Sequence, residues 1–278
     1  MTQVTGLRVA ITGGAQGIGR ALGQALTASG ARVALGDIQD AAVMQTATDL
    51  GAVGRHLDVT DPESFESFLD EAATELGGLD ALINNAGIMP IGPLLAESPD
   101  VIRRAVEVNL LGMITGTRLA GRRFADRGRG HVLNIASVMG AISSPNAATY
   151  CATKSAVIGF SAALRQEWRT SGVVISAICP GFVRTELIAG MTPPRLLERF
   201  MVVDPDDVAR AAITELRRGS SRTVFVPRPV GWIARGTGVL PTALVDGVFR
   251  LAGGEKVTAG IDHTQRAAYR ARIEGRDE

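Results

Sequence analysis

The sequence predicts an α/β fold, a doubly wound parallel sheet of about seven strands with helices on both faces. Short apolar runs rich in β-branched residues alternate with longer segments of helical periodicity. Polar residues cluster directly after these runs, where the carboxyl ends of parallel strands meet and ligands bind. Strands and helices that alternate in this way form a parallel sheet that is covered on both sides.

Each element follows from a stretch of this pattern. Strands are predicted at residues 7–12 and 31–37, in a run that ends at Leu57, and at residues 79–84, 131–137, 173–179 and 222–227. Helices are predicted up to Ser29 and at residues 40–50, 61–76, 98–124, 147–170 and 205–218. Asp61 and Pro62 begin their helix as N-cap and first-turn residue.

The composition favours a small-molecule partner. The chain of 278 residues carries 29 Lys and Arg against 28 Asp and Glu, so no broad electrostatic field would attract nucleic acid. The first residues show no basic region followed by an apolar run and a cleavage site, and the expected location is the cytoplasm. Cys151 and Cys179 lack metal-ligand spacing and the three histidines are scattered, so no metal site is expected.

A glycine-rich turn joins the first strand to the first helix. Gly13, Gly17 and Gly19 allow the backbone to turn sharply and to approach a pyrophosphate, whose charge the helix N-terminus favours. Gln16 and Ile18 lie in the same turn. Glycines also serve ordinary turns, so the position of this one between a strand and a helix is what favours nucleotide binding.

An acidic residue, Asp37, ends the second strand eighteen residues after Gly19. In dinucleotide-binding folds an acid at about this spacing binds the ribose hydroxyls of the adenosine. Its carboxylate repels a 2′-phosphate, and neither Gln16 nor Ile38 compensates, so the sequence favours NAD over NADP. Arg20 at the start of the helix keeps NADP open, and a solvated carboxylate is the alternative role of Asp37.

Other polar positions follow the next strands. Asp58 and Val59 lie just beyond the third strand, where ligands bind. The Asn-Asn-Ala-Gly stretch of residues 84–87 follows the fourth strand and suits a tight polar turn close to a ligand. Asn109 stands on an otherwise apolar helical face, where its amide needs partners such as water or backbone.

Ser137, Tyr150 and Lys154 bring a hydroxyl, a phenol and an ammonium into one stretch of the chain. Tyr150 and Lys154 are four residues apart on a predicted helix, so their side chains share one face. A lysine near a tyrosine favours the phenolate and is expected to lower the phenol pKa from about 10 toward neutral pH. Such a phenol suits proton exchange with an alcohol or carbonyl oxygen, which the serine can hold. This spacing also arises by chance on many helices.

With these residues assembled, the chain resembles the short-chain dehydrogenase/reductase (SDR) family over much of its length, from the first strand to the seventh. The matching elements, in chain order, are Thr12-Gly13-x-x-x-Gly17-Ile18-Gly19, Asp37, Asp58-Val59, Asn84-Asn85-Ala86-Gly87, Asn109, Ser137, Tyr150-x-x-x-Lys154 and Pro180-Gly181-x-x-x-Thr185. Each motif is weak alone, but their common order on the predicted elements makes the resemblance specific.

The resemblance implies a Rossmann-type fold and a role for most of the matching residues. Tyr150 would be the general acid and base, and Ser137 would orient and polarise the substrate oxygen. Lys154 would bind the nicotinamide ribose and depress the tyrosine pKa. Asn109 would hold a water that relays protons to Lys154. The implied cofactor contacts are Asp58 and Val59 at the adenine, Asn85, Ala86 and Gly87 in the cleft, and Pro180, Gly181, Val183 and Thr185 toward the carboxamide and phosphate.

The substrate is expected under a variable lid, residues 186–203, of a domain that spans residues 1–227. Apolar side chains in and near the lid suggest a pocket for a hydrophobic alcohol or ketone that is steroid-, terpenoid- or lipid-like. Packing of these side chains on the core is an equal alternative. The pocket residues are predicted to be Met89, Met139, Phe182 and Met191.

Residues 228–278 form an extension that most members of the resembling family lack. Its apolar residues are expected to pack on the domain or at a subunit interface of a homodimer or homotetramer, and peripheral membrane contact is the alternative. The last stretch, residues 263–278, is expected to be a charged helix or a solvated tail. The apolar residues concerned are Trp232, Ile233, Leu240, Leu244, Val248, Phe249 and Leu251.

The sequence therefore predicts an NAD-dependent oxidoreductase that interconverts a secondary alcohol and its ketone. The cofactor would carry the redox chemistry, and the protein would position the hydride and proton transfers. A regulatory protein that senses NADH without turnover is one alternative, opposed by the complete set of catalytic residues. An NADP-dependent acyl-chain ketone reductase is another, opposed by Asp37.

Overall fold

The computed structural model describes residues 3–188, 190–191, 198, 200–237, 240–251, 253, 266, 269, 271 and 273. The strands are β1 (Arg8–Thr12), β2 (Arg32–Asp37), β3 (Val53–His56), β4 (Ala81–Asn84), β5 (Gly130–Ile135), β6 (Val173–Pro180), β7 (Phe182–Val183), β8 (Val202–Val203) and β9 (Thr223–Val226). The α-helices are α1 (Gly17–Ala28), α2 (Asp40–Leu50), α3 (Pro62–Leu76), α4 (Pro99–Val106), α5 (Met113–Ala125), α6 (Ala148–Glu167), α7 (Pro205–Arg218), α8 (Val230–Thr237) and α9 (Thr242–Leu251).

Seven strands form one parallel sheet in the order β3-β2-β1-β4-β5-β6-β9, and β7 pairs with β8 in a separate two-stranded sheet. The predicted doubly wound sheet is confirmed. The strand order reverses at β1, because β2 and β4 lie on its two sides. Ligands bind at such a switch point, beyond the carboxyl ends of the strands.

Two apolar layers hold the helices to the sheet. Side chains alternate between the two faces along a strand, so Val9 and Ile11 serve one layer and Ala10 serves the other. The first layer contains residues of α1, α2 and α7, and the second contains residues of α3, α5 and α6. The central strand is therefore buried on both sides, as the apolar run in the sequence predicts.

Helix α3 shows how local chemistry sets the ends of these elements. The Asp61 side chain accepts a hydrogen bond from the Glu63 amide at 2.9 Å, which confirms its predicted role as N-cap. Pro62 follows at the first helical position, where no amide donor is needed. Gly77 ends the helix in a left-handed conformation, φ +73°, that favours glycine.

The helix predicted at residues 98–124 consists of three consecutive segments. Helix α4 runs into a π-helix, Glu107–Gly112, and this continues into α5. A π-helix is rare and often marks a functional site, because its wider turn changes which side chains face inward. Asn109 lies within it and is only 1% exposed.

The extension beyond β9 begins with α8 and α9. Val230 and Ala234 of α8 are buried in an apolar cluster with Phe225 of β9, whereas other apolar side chains of the two helices are exposed, so the predicted packing of the extension stays a prediction. Trp232 is 75% exposed and Leu244 is 58% exposed. Ile233, Leu240 and Leu251 are exposed as well. The side chains of Val248 and Phe249 lie outside the described residues. In the part of the chain that the structure describes, no helix has the length and apolar character that crossing a membrane requires.

His131 on β5 is a buried histidine within the sheet. Its Nε2 lies 3.0 Å from the Ser176 hydroxyl on β6, and burial lowers its pKa to about 4. The unfolded chain, with a histidine pKa near 6.5, binds more protons than the folded chain between these values, so stability falls as the pH falls through this window.

We expect His131 to reduce the free energy of unfolding by about 2 kcal/mol between pH 7.5 and pH 5. Urea denaturation at the two pH values measures this difference. The His131→Gln variant removes the titrating group, so its stability should fall by about 2 kcal/mol less than that of the wild type over the same interval. Equal losses in both proteins would contradict the assignment.

Candidate active site

A cavity of about 1560 Å³ opens beyond the carboxyl ends of β1 to β4. It contains most of the cofactor residues predicted from the sequence. Those that line it are Gly13, Gln16, Gly17, Ile18, Asp37, Asp58, Val59, Asn85, Ala86, Gly87 and Thr185.

The glycine turn between β1 and α1 is packed too tightly for larger residues. Gly13 and Gly17 adopt left-handed conformations, with φ of +66° and +55°. A Cβ atom on Gly19 would lie 1.9 Å from the Gly13 carbonyl oxygen, and one on Gly13 would lie 2.9 Å from the Ala86 Cα. Glycine is therefore required at these positions.

The N-terminus of α1 faces this turn without a side-chain cap. Its N-cap residue, Gln16, makes no capping hydrogen bond and instead donates from Nε2 to Glu186 Oε2 at 3.2 Å. The first amides of a helix carry partial positive charge and bind phosphate when no side chain occupies them. The turn thus fits the pyrophosphate of a dinucleotide.

Asp37 and Asp58 present carboxylates to the cavity from the ends of β2 and β3. The Asp37 oxygens accept hydrogen bonds from the Ala15 and Gln39 amides at 3.0 and 3.1 Å, so its side chain is held beside the glycine turn. Asp58 Oδ1 accepts from the Thr60 amide and hydroxyl at 2.8 and 2.7 Å. Each Asp37 oxygen keeps a second acceptor site for a ligand donor, and on Asp58 the Oδ2 atom can take that role.

Arg20, the residue that kept NADP open, points elsewhere. Its guanidinium forms an ion pair with Asp49 at 3.4 Å, and both side chains are well exposed. It does not contribute to the lining of the cavity. This exposed pair contributes little to stability, but it shows where the arginine lies.

Thr12 and Asn85 join the ends of β1 and β4 at the switch point. The Thr12 hydroxyl accepts hydrogen bonds from the Asn85 and Ala86 amides, both at 3.0 Å. Asn85 Nδ2 donates to the Thr12 and Gly13 carbonyl oxygens at 2.9 and 3.0 Å. The Asn85 side chain thus holds the start of the glycine turn against the end of β4. Thr12, which takes part in this contact, was not among the predicted site residues.

A second cavity, of about 60 Å³, adjoins the large one and contains Ser137, Tyr150 and Lys154. Residues of β6, of β7 and of the chain that joins and follows them complete its wall. These are Pro180, Gly181, Phe182 and Val183, with Leu187 and Ile188 beyond them. The two cavities share a boundary formed by Ile18, Asn85, Gly87, Met89 and Leu187.

The three predicted catalytic side chains meet in this second cavity. Tyr150 and Ser137 share a hydrogen bond between their hydroxyls, and the Ser137 oxygen also accepts from the Met139 amide at 3.1 Å. Lys154 Nζ donates to the Ile135 carbonyl oxygen at 3.0 Å and lies 5.8 Å from the centre of the Tyr150 ring. The helix α6 positions the phenol and the ammonium one turn apart.

Burial dominates the ionisation of this pair. It raises the pKa of Tyr150 to about 12, although the hydrogen bond with Ser137 acts in the opposite direction. Burial also lowers the pKa of Lys154 to about 8. The expectation that Lys154 lowers the phenol pKa toward neutral pH is therefore wrong. Both side chains are buried, and burial favours the neutral form of each.

Asn109 connects the π-helix to the loop after β4 and to α6. Its Oδ1 accepts from the Ile88 amide at 2.7 Å, and its Nδ2 donates to the Ile88 carbonyl at 2.8 Å and to the Thr153 hydroxyl at 3.1 Å. A Cβ on Gly87 would lie 3.2 Å from Asn109 Oδ1 and 3.5 Å from Lys154 Nζ. Asn109 thus lies close to Lys154, and its predicted water-holding role stays a prediction.

The predicted substrate residues fall into two groups. Met89, Met139 and Phe182 are buried and line the second cavity beside the catalytic side chains. Met191 is partly buried against the same apolar cluster but lines neither cavity. Residues 189, 192–197 and 199 of the predicted lid lie outside the described residues.

Two residues of the C-terminal stretch, which was expected to be solvated, belong to the site in the structure. Arg266 is 5% exposed and Tyr269 is 8% exposed, and both line the large cavity. No glycine, spacing or motif signalled them, because their partners are backbone atoms distant in the chain. Among the described residues, no group of three or more histidine, cysteine, aspartate and glutamate side chains could hold a metal ion.

Fold and site together define a Rossmann-type, nucleotide-binding oxidoreductase. The family model described as short chain dehydrogenase matches residues 8–195. The chain therefore belongs to the short-chain dehydrogenase/reductase family, as the motifs suggested.

Relatives and solved structures agree with this assignment. The chain is 39% identical to L-2,3-butanediol dehydrogenase of Corynebacterium glutamicum over 183 residues, 63% of this chain and 71% of that protein. It is 37% identical to a 3-alpha-(or 20-beta)-hydroxysteroid dehydrogenase of Mycobacterium bovis over 179 residues, 64% and 69% of the two chains. The 3-ketoacyl-(acyl-carrier-protein) reductase of Brucella melitensis, crystallised with NADH, superimposes with a TM-score of 0.72 at 26% identity, over 80% of this chain and 97% of that one.

Proposed function

We propose that this chain interconverts a secondary alcohol and its ketone with NAD, and that the substrate is bulky and apolar. The observation that carries the proposal is the cluster of Ser137, Tyr150 and Lys154 in a small cavity that adjoins a cleft of dinucleotide size. Two relatives are named as dehydrogenases of an alcohol or a hydroxysteroid, which supports this reaction class.

The residues divide the chemistry between them. The nicotinamide cofactor, when bound, supplies or accepts the hydride. Tyr150 takes the hydroxyl proton during oxidation and returns it during reduction, and Ser137 holds the substrate oxygen by a hydrogen bond. Lys154, which lies one turn from Tyr150 on α6, would bind the nicotinamide ribose. The glycine turn, Asp37 and Asp58 hold the cofactor.

A preference for NAD follows from the charges at the end of β2. Two backbone amides hold the Asp37 carboxylate beside the cleft. There it would accept hydrogen bonds from the ribose hydroxyls and repel a 2′-phosphate. Arg20 is paired with Asp49 outside the cleft. The NADH bound in the Brucella melitensis structure supports a cofactor of this kind.

An apolar substrate fits the side chains around the catalytic cluster. Met89, Met139 and Phe182 surround Tyr150, and Leu187 and Ile188 extend this surface toward the lid. Such surroundings favour a ketone or alcohol with hydrocarbon substituents, since burial of apolar area supplies the binding free energy.

The decisive experiment measures NADH formation with a panel of secondary alcohols, from small alkanols to steroids and terpenoids, and with NAD or NADP. We expect turnover with a bulky alcohol and a kcat/KM at least about tenfold higher with NAD, the factor that about 1.4 kcal/mol of charge repulsion provides. A 3-ketoacyl thioester with NADPH tests the alternative reductase. Tight NADH binding without turnover of any compound would favour the sensor.

The exposed apolar residues of α8 and α9 are proposed to form a subunit contact of a homodimer or homotetramer, with peripheral membrane contact as the alternative occupant. Trp232, Ile233 and Leu251 are large apolar side chains that are mostly exposed to solvent, and exposed apolar groups of this kind often mark an interaction surface. Analytical ultracentrifugation is expected to give a dimer or tetramer, and sedimentation with liposomes is expected to leave the protein in solution. A monomer that sediments with the liposomes would contradict this assignment.

A further inference from the structure

Three side chains of the C-terminal extension are buried in the wall of the large cavity. Arg266, Tyr269 and Ile273 are 5%, 8% and 6% exposed. Their spacing places them on one side of a helical turn, and Tyr269 and Ile273 are helical. The three residues lie beyond residue 195, where the match to the family model ends.

Arg266 and Tyr269 bind the backbone of two separate segments. The Tyr269 hydroxyl accepts a hydrogen bond from the Met89 amide at 2.7 Å. The Arg266 guanidinium donates to the Met89 carbonyl at 2.9 Å and to the Leu187 carbonyl at 2.7 Å. The guanidinium also lies 4.9 Å from the centre of the Tyr269 ring, which holds the two side chains against each other.

This arrangement fixes a loop that has no secondary structure of its own. Residues 85–91 follow β4 without forming a helix or strand. Ile88 is bound on one side by the Asn109 amide group, and the next residue, Met89, is bound on the other side by the extension. Adjacent residues of the loop are therefore held between the catalytic core and the C-terminal segment.

The two tethered residues separate the cofactor cleft from the catalytic cavity. Met89 and Leu187 line both cavities, so the distance between their segments sets the opening through which a substrate reaches Tyr150. Behind them, Tyr269 and Ile273 pack with Val101. An arginine that bridges two carbonyls across this opening resists its widening, because a planar guanidinium offers its donors at fixed spacing.

We propose that Arg266 and Tyr269 are positioning residues of the substrate compartment, which fasten the Met89 loop to the Leu187 turn and fix the width of the opening. Arg266 and Tyr269, with Ile273, are thus part of the wall of the active site. The consequence for substrate selection rests on the proposed alcohol dehydrogenase function, whereas the tethering of the loop does not.

Hydrogen–deuterium exchange of the full-length protein tests the tether without any substrate. In Tyr269→Phe the Met89 amide loses its acceptor, and we expect the peptide of residues 84–92 to exchange about fivefold faster, the factor of one lost hydrogen bond. Arg266→Lys keeps the charge but not the two-carbonyl bridge, and should accelerate the same peptide. Arg250→Gln, an exposed change in α9, is the matched control and should exchange as the wild type.

Steady-state kinetics then test the effect on substrate. For the best alcohol of the panel we expect KM to rise about fivefold in Tyr269→Phe and in Arg266→Lys, with kcat and the dissociation constant of NADH changed by less than about twofold. A merely structural role would lower the fraction of active protein, and hence kcat, without raising KM.

Two results would overturn the proposal. Exchange of residues 84–92 at the wild-type rate in both variants would show that the extension does not hold the loop. An unchanged KM in both variants, with faster exchange, would show that the tether does not control substrate access. If the wild type oxidises no alcohol, the proposed function fails, and the exchange experiment still decides the tether.

Discussion

The Tyr150→Phe variant is expected to lose a factor of about 10² to 10⁴ in kcat for alcohol oxidation and for ketone reduction. The substitution removes the hydroxyl that exchanges the proton and leaves the ring, which is buried at 5% exposure, in place. The phenol binds Ser137 and not the glycine turn, so affinity for NADH should change by less than about twofold. Stopped-flow hydride transfer and NADH fluorescence titration measure the two quantities.

A control on the same helix separates chemistry from folding. Ala152 is exposed on α6, between Tyr150 and Lys154 in the chain but on another face. Ala152→Ser should leave kcat and NADH affinity at wild-type values. Turnover of Tyr150→Phe close to that of Ala152→Ser would remove the phenol from the mechanism.

The Gly19→Ala variant should show the second large effect, on cofactor affinity. The new Cβ would lie 1.9 Å from the Gly13 carbonyl oxygen and 2.8 Å from Asn85 Nδ2, so the turn and its tie to β4 must shift together. We expect NADH to bind at least about tenfold more weakly. The strain should also reduce stability by about 1–3 kcal/mol, which lowers Tm by several degrees.

The matched control for Gly19 is another helical glycine. Gly159 on α6 is exposed, and a Cβ there would meet no atom within 4 Å. Gly159→Ala should raise stability by about 0.5–1 kcal/mol, because alanine has the higher helix propensity. If the close contact is the cause, thermal unfolding shows a lower Tm for Gly19→Ala and a higher Tm for Gly159→Ala, and NADH titration shows weaker binding in Gly19→Ala alone. A Gly19→Ala protein with normal affinity would refute this account of the turn.

Much of the fold and the site was predictable because each part is encoded locally. Short apolar runs rich in β-branched residues predicted the strands. The glycine turn followed from the need for a left-handed backbone, and Tyr150 and Lys154 share a helical face by their spacing. Asp61 as N-cap is a signal within three residues. Such features depend on neighbours in the sequence, so they can be identified before any tertiary contact is known.

The rest depended on contacts between distant segments. Tyr269 and Met89 are 180 residues apart, and their bond joins a side chain to a backbone amide that any residue could supply. The ionisation of Tyr150 was misjudged because spacing shows that Lys154 is near but does not show that both groups are buried. The π-helix was not predicted, because nothing in the local sequence pattern distinguishes a π-helical turn from an α-helical one.

The π-helix between α4 and α5 changes which face of the continuous helix points toward the core. Before it, Val101 and Ala105 of α4 are buried. A Cβ on Gly112, its last residue, would lie 2.7 Å from the Val59 carbonyl oxygen, and a Cβ on Gly116, after it, would lie 2.2 Å from the Phe65 ring. An added residue rotates the downstream helix by about 100° relative to an uninterrupted α-helix. The half that contacts the extension and the half packed on the sheet therefore present different faces to their neighbours, and Asn109 lies in the π-helix that joins them.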